Sequence, residues 1–390
     1  MSENIVVGQA GGGEKSRNKI GLITIHRVLN YGTAWQVYST VQILKKYCKD
    51  VTVIDYIPNR LKIAKTKDFL FEVNPIYRNS WKKIPYLALK IPTRILEKRG
   101  FDRFISKRIP LTKKKFFDVD DLKEIRNDFD IFVTGSDQVW NYEEELQSTI
   151  DKAYLLGFFE CGEQNKKIAF SASFGRNSFN DKIMRDIEPY IRDYSAISVR
   201  EESGLDILSQ IGYKNAVHSL DPTLILGKDN LIDLASKKLV KGKYVLIYAL
   251  SPNPLVDKMA QFVAKEKGLK IIKLCNTLEK KSYIDKYFRF RRPEDFLSLF
   301  YNADYIVTNS FHGTAFSVNF EKQFSVIAAD KFETRMVDFL KSVKLEKRLI
   351  VKEKDFQEQL EIIQFDESRK IIKNNRQKME NFLKKNIGEI

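Results

Sequence analysis

Short apolar runs recur along the chain, each closed by a polar turn. After most of them the apolar positions change from continuous to helical spacing. Residues 19–24 (KIGLIT) lead into the turn HRVLNYGTAW, and Ala34, Tyr38, Val41 and Leu44 then follow at helical intervals. Residues 51–56 form a second run. This strand, turn, helix, strand order is the unit of a parallel α/β sheet. The step repeats at 130–134 (DIFVT), 167–171 (KIAFS) and 196–199, with helices predicted over 118–129, 181–192 and 201–211. SLDPTLIL (219–226) closes this half, with a strand predicted just after His218. The polar KKLVKGK (237–243) reads as a linker. A second series starts at 244–250 (YVLIYAL). It continues with a helix over 254–267 stopped by Gly268, a strand at 269–275 and a helix over 293–302 begun by a proline. Next come a strand at 305–307, a polar turn holding His312, a helix opening at Gly313, a strand at 324–328 and a helix at 333–342. Ile372, Met379, Phe382 and Ile387 mark a last helix over 368–387, expected to pack back across the first domain.

The pattern predicts an α/β protein with two Rossmann-like domains, residues 19–236 and 244–350, and a C-terminal helical segment, 351–390. A length of 390 residues fits two domains of about 150 residues each. Residues 1–18, with their GGG, read as a flexible leader without the apolar core of a signal peptide. Residues 60–115 break the pattern. They hold 17 Lys and Arg against 4 Asp and Glu, so most of the net charge of +16 sits there. Pro75, Pro85 and Pro92 limit any helix in this stretch, which reads as a basic helical insertion. Phe69, Phe71, Tyr77, Trp81, Tyr86, Phe101 and Phe104 are interleaved with the cations. Such a segment suits an anionic membrane surface, nucleic acid, or a plain solvated helical face. No nucleic-acid motif accompanies it, and no nucleic-acid partner is expected. No run of about 18 apolar residues predicts a membrane span. Cys48, Cys161 and Cys275 are far apart, which argues against a disulfide framework and fits a cytoplasmic setting.

The turns carry the candidate chemistry. In open α/β sheets, ligands bind beyond the carboxyl ends of the strands. Asn30, Tyr31 and Gly32 lie in the first turn, which is not a GxGxxG fingerprint. GSDQVW, SASFG and SVREES would line the same edge of the sheet. His312, one of three histidines, lies where a strand passes into a helix, a setting that offers backbone N–H groups to an anion and a proton-exchanging side chain. Asp137 is a base or a helix cap, Glu201 a base or a first-turn residue, and Arg200 an anion ligand or an interface ion pair. His26 follows the first strand, and His218 reads as structural. No His/Cys/Asp cluster has metal-ligand spacing, so no metal is expected, and there is no Walker loop or GxSxG.

Taken together, NYGTAWQ, FVTGSDQVWN, AFSASFG, SVREESG, LDPTLIL, ADYIVTNSFHGTAFSVNF and ETRMVDFLKSVKLEKR resemble the polysaccharide pyruvyl transferase family over residues 20–350. The resemblance implies two facing Rossmann-like domains, as in the two-domain (type B) glycosyltransferases, with the acceptor on the first domain and the donor on the second. It implies transfer of a pyruvyl group from phosphoenolpyruvate, a co-substrate with no further cofactor, to a sugar of a surface polysaccharide or its lipid-linked precursor. The product is a cyclic ketal. A lipid-linked acceptor would place the protein at the inner face of the cell membrane, with the basic segment against anionic lipid. His312 matches the family's donor-site histidine and Arg200 the arginine of its VRE motif. Many members carry arginine where this chain has Ser310, and Arg335 or Arg348 are the candidates to replace that charge. The expected roles are thus His312 and Asp137 in catalysis. Arg200, Asn309, Ser310, Gly313, Thr314 and Arg335 are expected on the donor. Asn30, Tyr31, Gly32, Ser136, Gln138, Trp140, Ser173, Phe174 and Glu201 are expected on the acceptor. Glycosyl transfer from a nucleotide sugar, or glycan binding without catalysis, remain alternatives on the same architecture.

Overall fold

The computed structural model describes residues 18–58, 83–142, 149–160, 163, 165–328 and 333–389. The leader, Cys161 and residues 59–82 of the basic stretch thus lie outside the described residues. Two fully parallel sheets carry the fold. The first orders its strands β3-β2-β1-β4-β5-β6-β7. These are β1 (Lys19–Ile23), β2 (Asp50–Tyr56), β3 (Leu111–Phe116), β4 (Ile131–Thr134), β5 (Lys166–Ala172), β6 (Ala196–Val199) and β7 (Val217–His218). The second runs β10-β9-β8-β11-β12-β13. Its strands are β8 (Tyr244–Tyr248), β9 (Lys270–Cys275), β10 (Lys286–Arg289), β11 (Tyr305–Thr308), β12 (Gln323–Ile327) and β13 (Leu349–Ile350). Central strands such as IFVT and YVLIY are buried along their whole length, as expected of parallel strands covered on both faces.

Both sheets reverse winding direction beside their first strand. β1 pairs with β2 on one side and β4 on the other, and β8 likewise with β9 and β11. Doubly wound sheets open a crevice beyond the strand ends at such a reversal. The connecting helices are α1 (Tyr31–Leu44), α2 (Lys83–Arg108), α3 (Asp181–Arg192), α4 (Glu202–Gln210), α5 (Pro222–Leu226), α6 (Asp229–Ile232), α7 (Pro254–Lys267), α8 (Pro293–Tyr301), α9 (Phe311–Asn319), α10 (Glu333–Ser342) and α11 (Asp366–Ile387). Gly268 ends α7 in the left-handed conformation, φ +62°, which a side chain would strain.

Four elements differ from the sequence expectation. Residues 111–116 are no insertion but the edge strand β3, parallel to β2. The run Lys113–Lys115 hides its pattern, and exposed lysines are a common guard on an edge strand. α2 runs through both Pro85 and Pro92 as the β2–β3 crossover. Pro85 falls in the first turn, where no intrahelical N–H is needed, while Pro92 costs an interior bond. PTLIL is a helix, since Asp221 caps it and Pro222 starts it, and His218 already belongs to β7. Residues 118–129 supply only a 3₁₀ helix, Asp120–Ile125.

The domains share one apolar cluster, from Ile20 and Leu22 of the first sheet to Leu246, Ile306 and Phe324 of the second. α1 forms the wedge between them. Tyr31 stacks on Phe296 with ring centroids 5.2 Å apart. Its hydroxyl donates to Arg291 O (3.0 Å) and accepts from Arg291 N (3.1 Å). Trp35 Nε1 donates to Pro293 O at 3.0 Å. Arg108 of α2 reaches Glu294 at 3.5 Å. The final helix α11 crosses back to the first domain, where Leu220 N donates to Asn375 Oδ1 (3.0 Å) and Arg376 Nε to Leu224 O (2.9 Å). No helix among the described residues is long and apolar enough to cross a membrane. Tyr31→Phe removes the hydroxyl and leaves both Arg291 backbone groups unanswered. A loss of about 1–3 kcal/mol is expected in equilibrium urea unfolding. A loss under about 0.5 kcal/mol would show that this bond pair does not hold the domains.

Candidate active site between the domains

The turns after β1, β4, β5, β6 and β7 converge on the start of α9, which follows β11 in the other domain. Asn30 caps α1 by accepting from Thr33 N at 3.2 Å. Thr33 Oγ1 then donates to Asp137 Oδ2 at 2.6 Å, tying the first turn of α1 to the turn after β4. Asp137 also accepts from Gln138 N, 2.9 Å, and its φ of +71° is a strained setting for a residue with a side chain. Such strain is found most often at functional sites. Burial pushes the Asp137 carboxyl up. The charges of His312 and Arg200 and the Thr33 and Gln138 donors outweigh it and hold the carboxyl below its ordinary range.

Arg200 is buried at the end of β6. Its Nη1 donates to Asp221 Oδ2 at 2.9 Å, its Nε lies 3.5 Å from Glu201 Oε1, and its guanidinium covers the Phe311 ring of the other domain, 4.5 Å from the centroid. Glu201 also accepts from Ser173 Oγ. Asp221, 1% exposed, spends its other oxygen on Thr223 N (2.9 Å) and Thr223 Oγ1 (2.7 Å). The Asp221 oxygen that holds Arg200 also lies 3.7 Å from His312 Nε2. Asp221 therefore serves both domains. Its signal in the sequence was the Asp-Pro of LDPTLIL, which also reads as an ordinary helix start. Thr33 is a second residue that sequence reasoning left without a role.

His312 lies inside the first turn of α9, not in the turn before it. It is 7% exposed and rests on the backbone of α1. A Cβ built on Gly32 would stand 2.0 Å from His312 Cγ and 2.2 Å from Nδ1. Glycine is required there by this close approach. Burial lowers the imidazole below its usual value, opposed by Asp221 and Asp137 and aided by Arg200 and Arg335, so His312 is neutral near pH 7. Its Nε2, Arg200 Nη2, Glu201 Oε2 and Ser136 Oγ are buried without a hydrogen-bond partner. These four unsatisfied polar atoms leave hydrogen-bonding capacity open to water or to a polar ligand.

The remaining expected site residues divide. Arg335 of α10 is buried at the same joint. The Gln138 amide lies against it, and turned with its oxygen toward the guanidinium it accepts from Arg335. Ser310 caps α9, its hydroxyl accepting from Gly313 N at 3.3 Å, and Thr314 Oγ1 donates back to Ser310 O at 3.0 Å. Five expectations need correction. Tyr31 is turned into the aromatic wedge. Trp140 and Phe174 are fully buried in the first domain, where Trp140 Nε1 donates to Tyr154 O at 3.0 Å. Asn309 is committed to Leu250 N (2.8 Å) and Ser251 O (2.9 Å), bracing the end of β8. Arg348 donates to Gln359 O and Glu361 O, at 2.9 and 2.6 Å, within the second domain. His26, between Asp55 (3.0 Å) and Thr24 O (2.9 Å), has both ring nitrogens engaged.

Two doubly wound parallel sheets facing each other at their winding reversals define the two-domain, type B glycosyltransferase-like class. Solved structures agree. A UDP-N-acetylglucosamine 2-epimerase aligns with TM-score 0.51 at 13% identity, over 95% of this chain and 96% of that one. A putative enzyme of the same name from Listeria monocytogenes gives 0.50 at 10%, over 95% and 96%. MnaA of S. aureus, solved with UDP, gives 0.50 at 12%, over 94% and 96%. At these identities the likeness shows the fold alone. No curated protein matches the chain. A family model described as polysaccharide pyruvyl transferase matches residues 30–331, and the chain belongs to that family, a family of transferases.

Gly32→Ala places a methyl group inside the His312 ring. Overpacking of this kind costs about 1–3 kcal/mol. His312→Gly added to Gly32→Ala removes the clash, so most of the loss is expected to return in a double-mutant cycle of unfolding free energies. Additive losses would show that the two residues do not meet.

Proposed function

We propose that this protein transfers a pyruvyl group from phosphoenolpyruvate to two hydroxyls of one sugar in a polysaccharide or its lipid-linked precursor. The observation that carries the reading is the cluster of unsatisfied buried polar atoms around His312 and Arg200, in a chain of this family. Phosphoenolpyruvate brings a phosphate, a carboxylate and an enol double bond. One sugar hydroxyl gives its proton to a base as its oxygen bonds to the enol carbon, and a proton delivered to the methylene carbon makes it a methyl group. The second sugar oxygen then displaces phosphate from the same carbon, and its proton leaves to a base or with phosphate. Asp137, held ionised, is the base facing the acceptor. Arg200 is a cation facing the donor, and Glu201 Oε2 is a further acceptor for a sugar hydroxyl.

His312 moves the methylene proton. It is neutral in the free protein, and an anion bound against it raises its proton affinity. Between the free and bound values, binding takes up a proton. Calorimetry of phosphoenolpyruvate binding at pH 7, in two buffers of different ionisation heat, is expected to show uptake in the wild type and none in His312→Gln. Turnover should fall about a hundredfold or more in that variant. Release of phosphate from phosphoenolpyruvate, dependent on a glycan acceptor, supports the reading. The fold is shared with enzymes of UDP sugars, so release of nucleotide from a sugar donor would support glycosyl transfer instead.

We also propose that α2 docks against anionic membrane where a lipid-linked acceptor resides. Ile84 and Leu96 are 78% and 62% exposed, and Lys98, Arg99, Arg103 and Lys107 are exposed along the same helix. Attraction of about 1 kcal/mol per cation near an anionic leaflet makes a few of these sufficient. Flotation with vesicles rich in anionic phospholipid is expected for the wild type and not for a variant with Arg103→Glu and Lys107→Glu. Absence of wild-type flotation at physiological salt would sink the docking.

A further inference from the structure

We propose that the cavity between the far ends of α1 and α5 and the side of α11 binds an amphipathic acid, a phosphate or carboxylate head on an aliphatic body. The cavity has a volume of about 490 Å³, within the range of small-molecule sites. Its apolar wall is Ile43, Tyr47, Ile225, Leu226 and Leu383. The cavity is separate from the joint between the domains. α1 and α5 bring their first residues, with Thr33 and the cap Asp221, to that joint, and their last residues, with Ile43 and Leu226, to the cavity.

The same cavity holds cations placed to receive a head group. Arg376 is fixed in position. Its Nε donates to Leu224 O at 2.9 Å, and its guanidinium lies on the backbone of Gly227, where a Cβ would stand 2.9 Å from Nη2. Gly227 also has φ +89°, so the close approach and the backbone both call for glycine. Burial pulls the Arg376 guanidinium down, against Asp229, and an anion beside it would offset that burial. Arg376 has no ion pair among the described residues, and neither has Lys46, which is exposed and lines the same cavity. The acids on the wall, Glu380 and Glu389, are both taken by Lys384, at 3.4 and 3.2 Å. Lys46 and Arg376 are therefore left over for an incoming anion. Arg376 offers a planar fork that pairs with two oxygens of a phosphate or carboxylate, and Lys46 a point charge on a flexible stem. A bare ion would leave the apolar wall wet. A ligand with a hydrocarbon body covers it and gains the free energy of that burial.

The test is calorimetric titration of the full chain with octyl phosphate, octanoate, inorganic phosphate and octanol, each below its aggregation concentration. Octyl phosphate is expected to bind with a Kd below about 1 mM, and inorganic phosphate and octanol about tenfold more weakly or worse, because head and body are both needed. Lys46→Glu reverses the charge at an exposed position and is expected to weaken octyl phosphate about tenfold. Arg376→Lys keeps the charge, loses the fork and is expected to weaken it by about as much. Melting curves establish that the variants fold, and Lys46→Glu carries the test if Arg376→Lys does not. Octyl phosphate binding tighter than octanoate supports the site with a lipid phosphate as its source, and the reverse order supports it with a fatty acid. Octanol binding as tightly as octyl phosphate overturns the assignment to an acid. No saturable heat from either acid, or wild-type affinity in the folded variants, overturns the site.

Discussion

The carboxylate of Asp221 is the point on which the two domains and their charges depend. Charged groups taken out of water must be answered by neighbours, because the medium no longer screens them. One Asp221 oxygen holds the start of α5 through Thr223. The other holds Arg200 and faces His312 of the second domain. That division is set by local chain chemistry. β7 is short, Asp221 follows it almost at once, and Pro222 turns the chain directly into α5. The Asp221 carboxylate thereby sits at the joint instead of capping a helix out in solvent.

Packing fixes the same joint from the other side. α1 begins at the crevice with Gly32 and Thr33, and the same helix sends Tyr31 and Trp35 into the second domain. Neighbours on a helix point about 100° apart. Gly32 thus lies under His312 while Tyr31 turns into the aromatic wedge. Separating the domains would strip apolar contacts from α1 and, by the same motion, lift His312 from Gly32. The polar site and the hydrophobic wedge are two faces of one helix, so the site is assembled by the packing that joins the domains.

This geometry explains what was legible in the sequence. Continuous apolar runs followed by helical spacing disclosed the strands, most helices and the crossing back of α11, because parallel sheets bury their strands on both faces. Turn position pointed to His312, Asp137 and Arg200, since each follows the carboxyl end of a strand, Asp137 and Arg200 in the first sheet and His312 in the second. Side-chain direction was not legible. Trp140 is three residues from Asp137, yet it folds back onto Tyr154 O, and nothing in GSDQVW states which way the loop turns. β3 escaped notice because edge strands are protected by the same lysines that mark a solvated helix. Asp221 and Thr33 escaped because their partners are remote in sequence, Arg200 and Asp137, and a single chain read in order does not reveal such pairs.

Charge at the joint bears on the chemistry. The carboxyl groups of Asp137, Glu201 and Asp221 outnumber the guanidiniums of Arg200 and Arg335 there, with His312 neutral. A site meant only to hold an anion would be arranged the other way. On the pyruvyl-transfer reading the imbalance has a use. The donor adds further negative charge, and His312 is the group at the joint that can answer by gaining a proton near neutral pH. The proton that lets the donor bind is then the one the methylene carbon needs. Ser310 is consistent with this economy of charge, because its hydroxyl caps α9 and adds no permanent cation beside the imidazole. With a fixed positive charge there, His312 would be driven further toward its neutral form, and the proton would be harder to recruit.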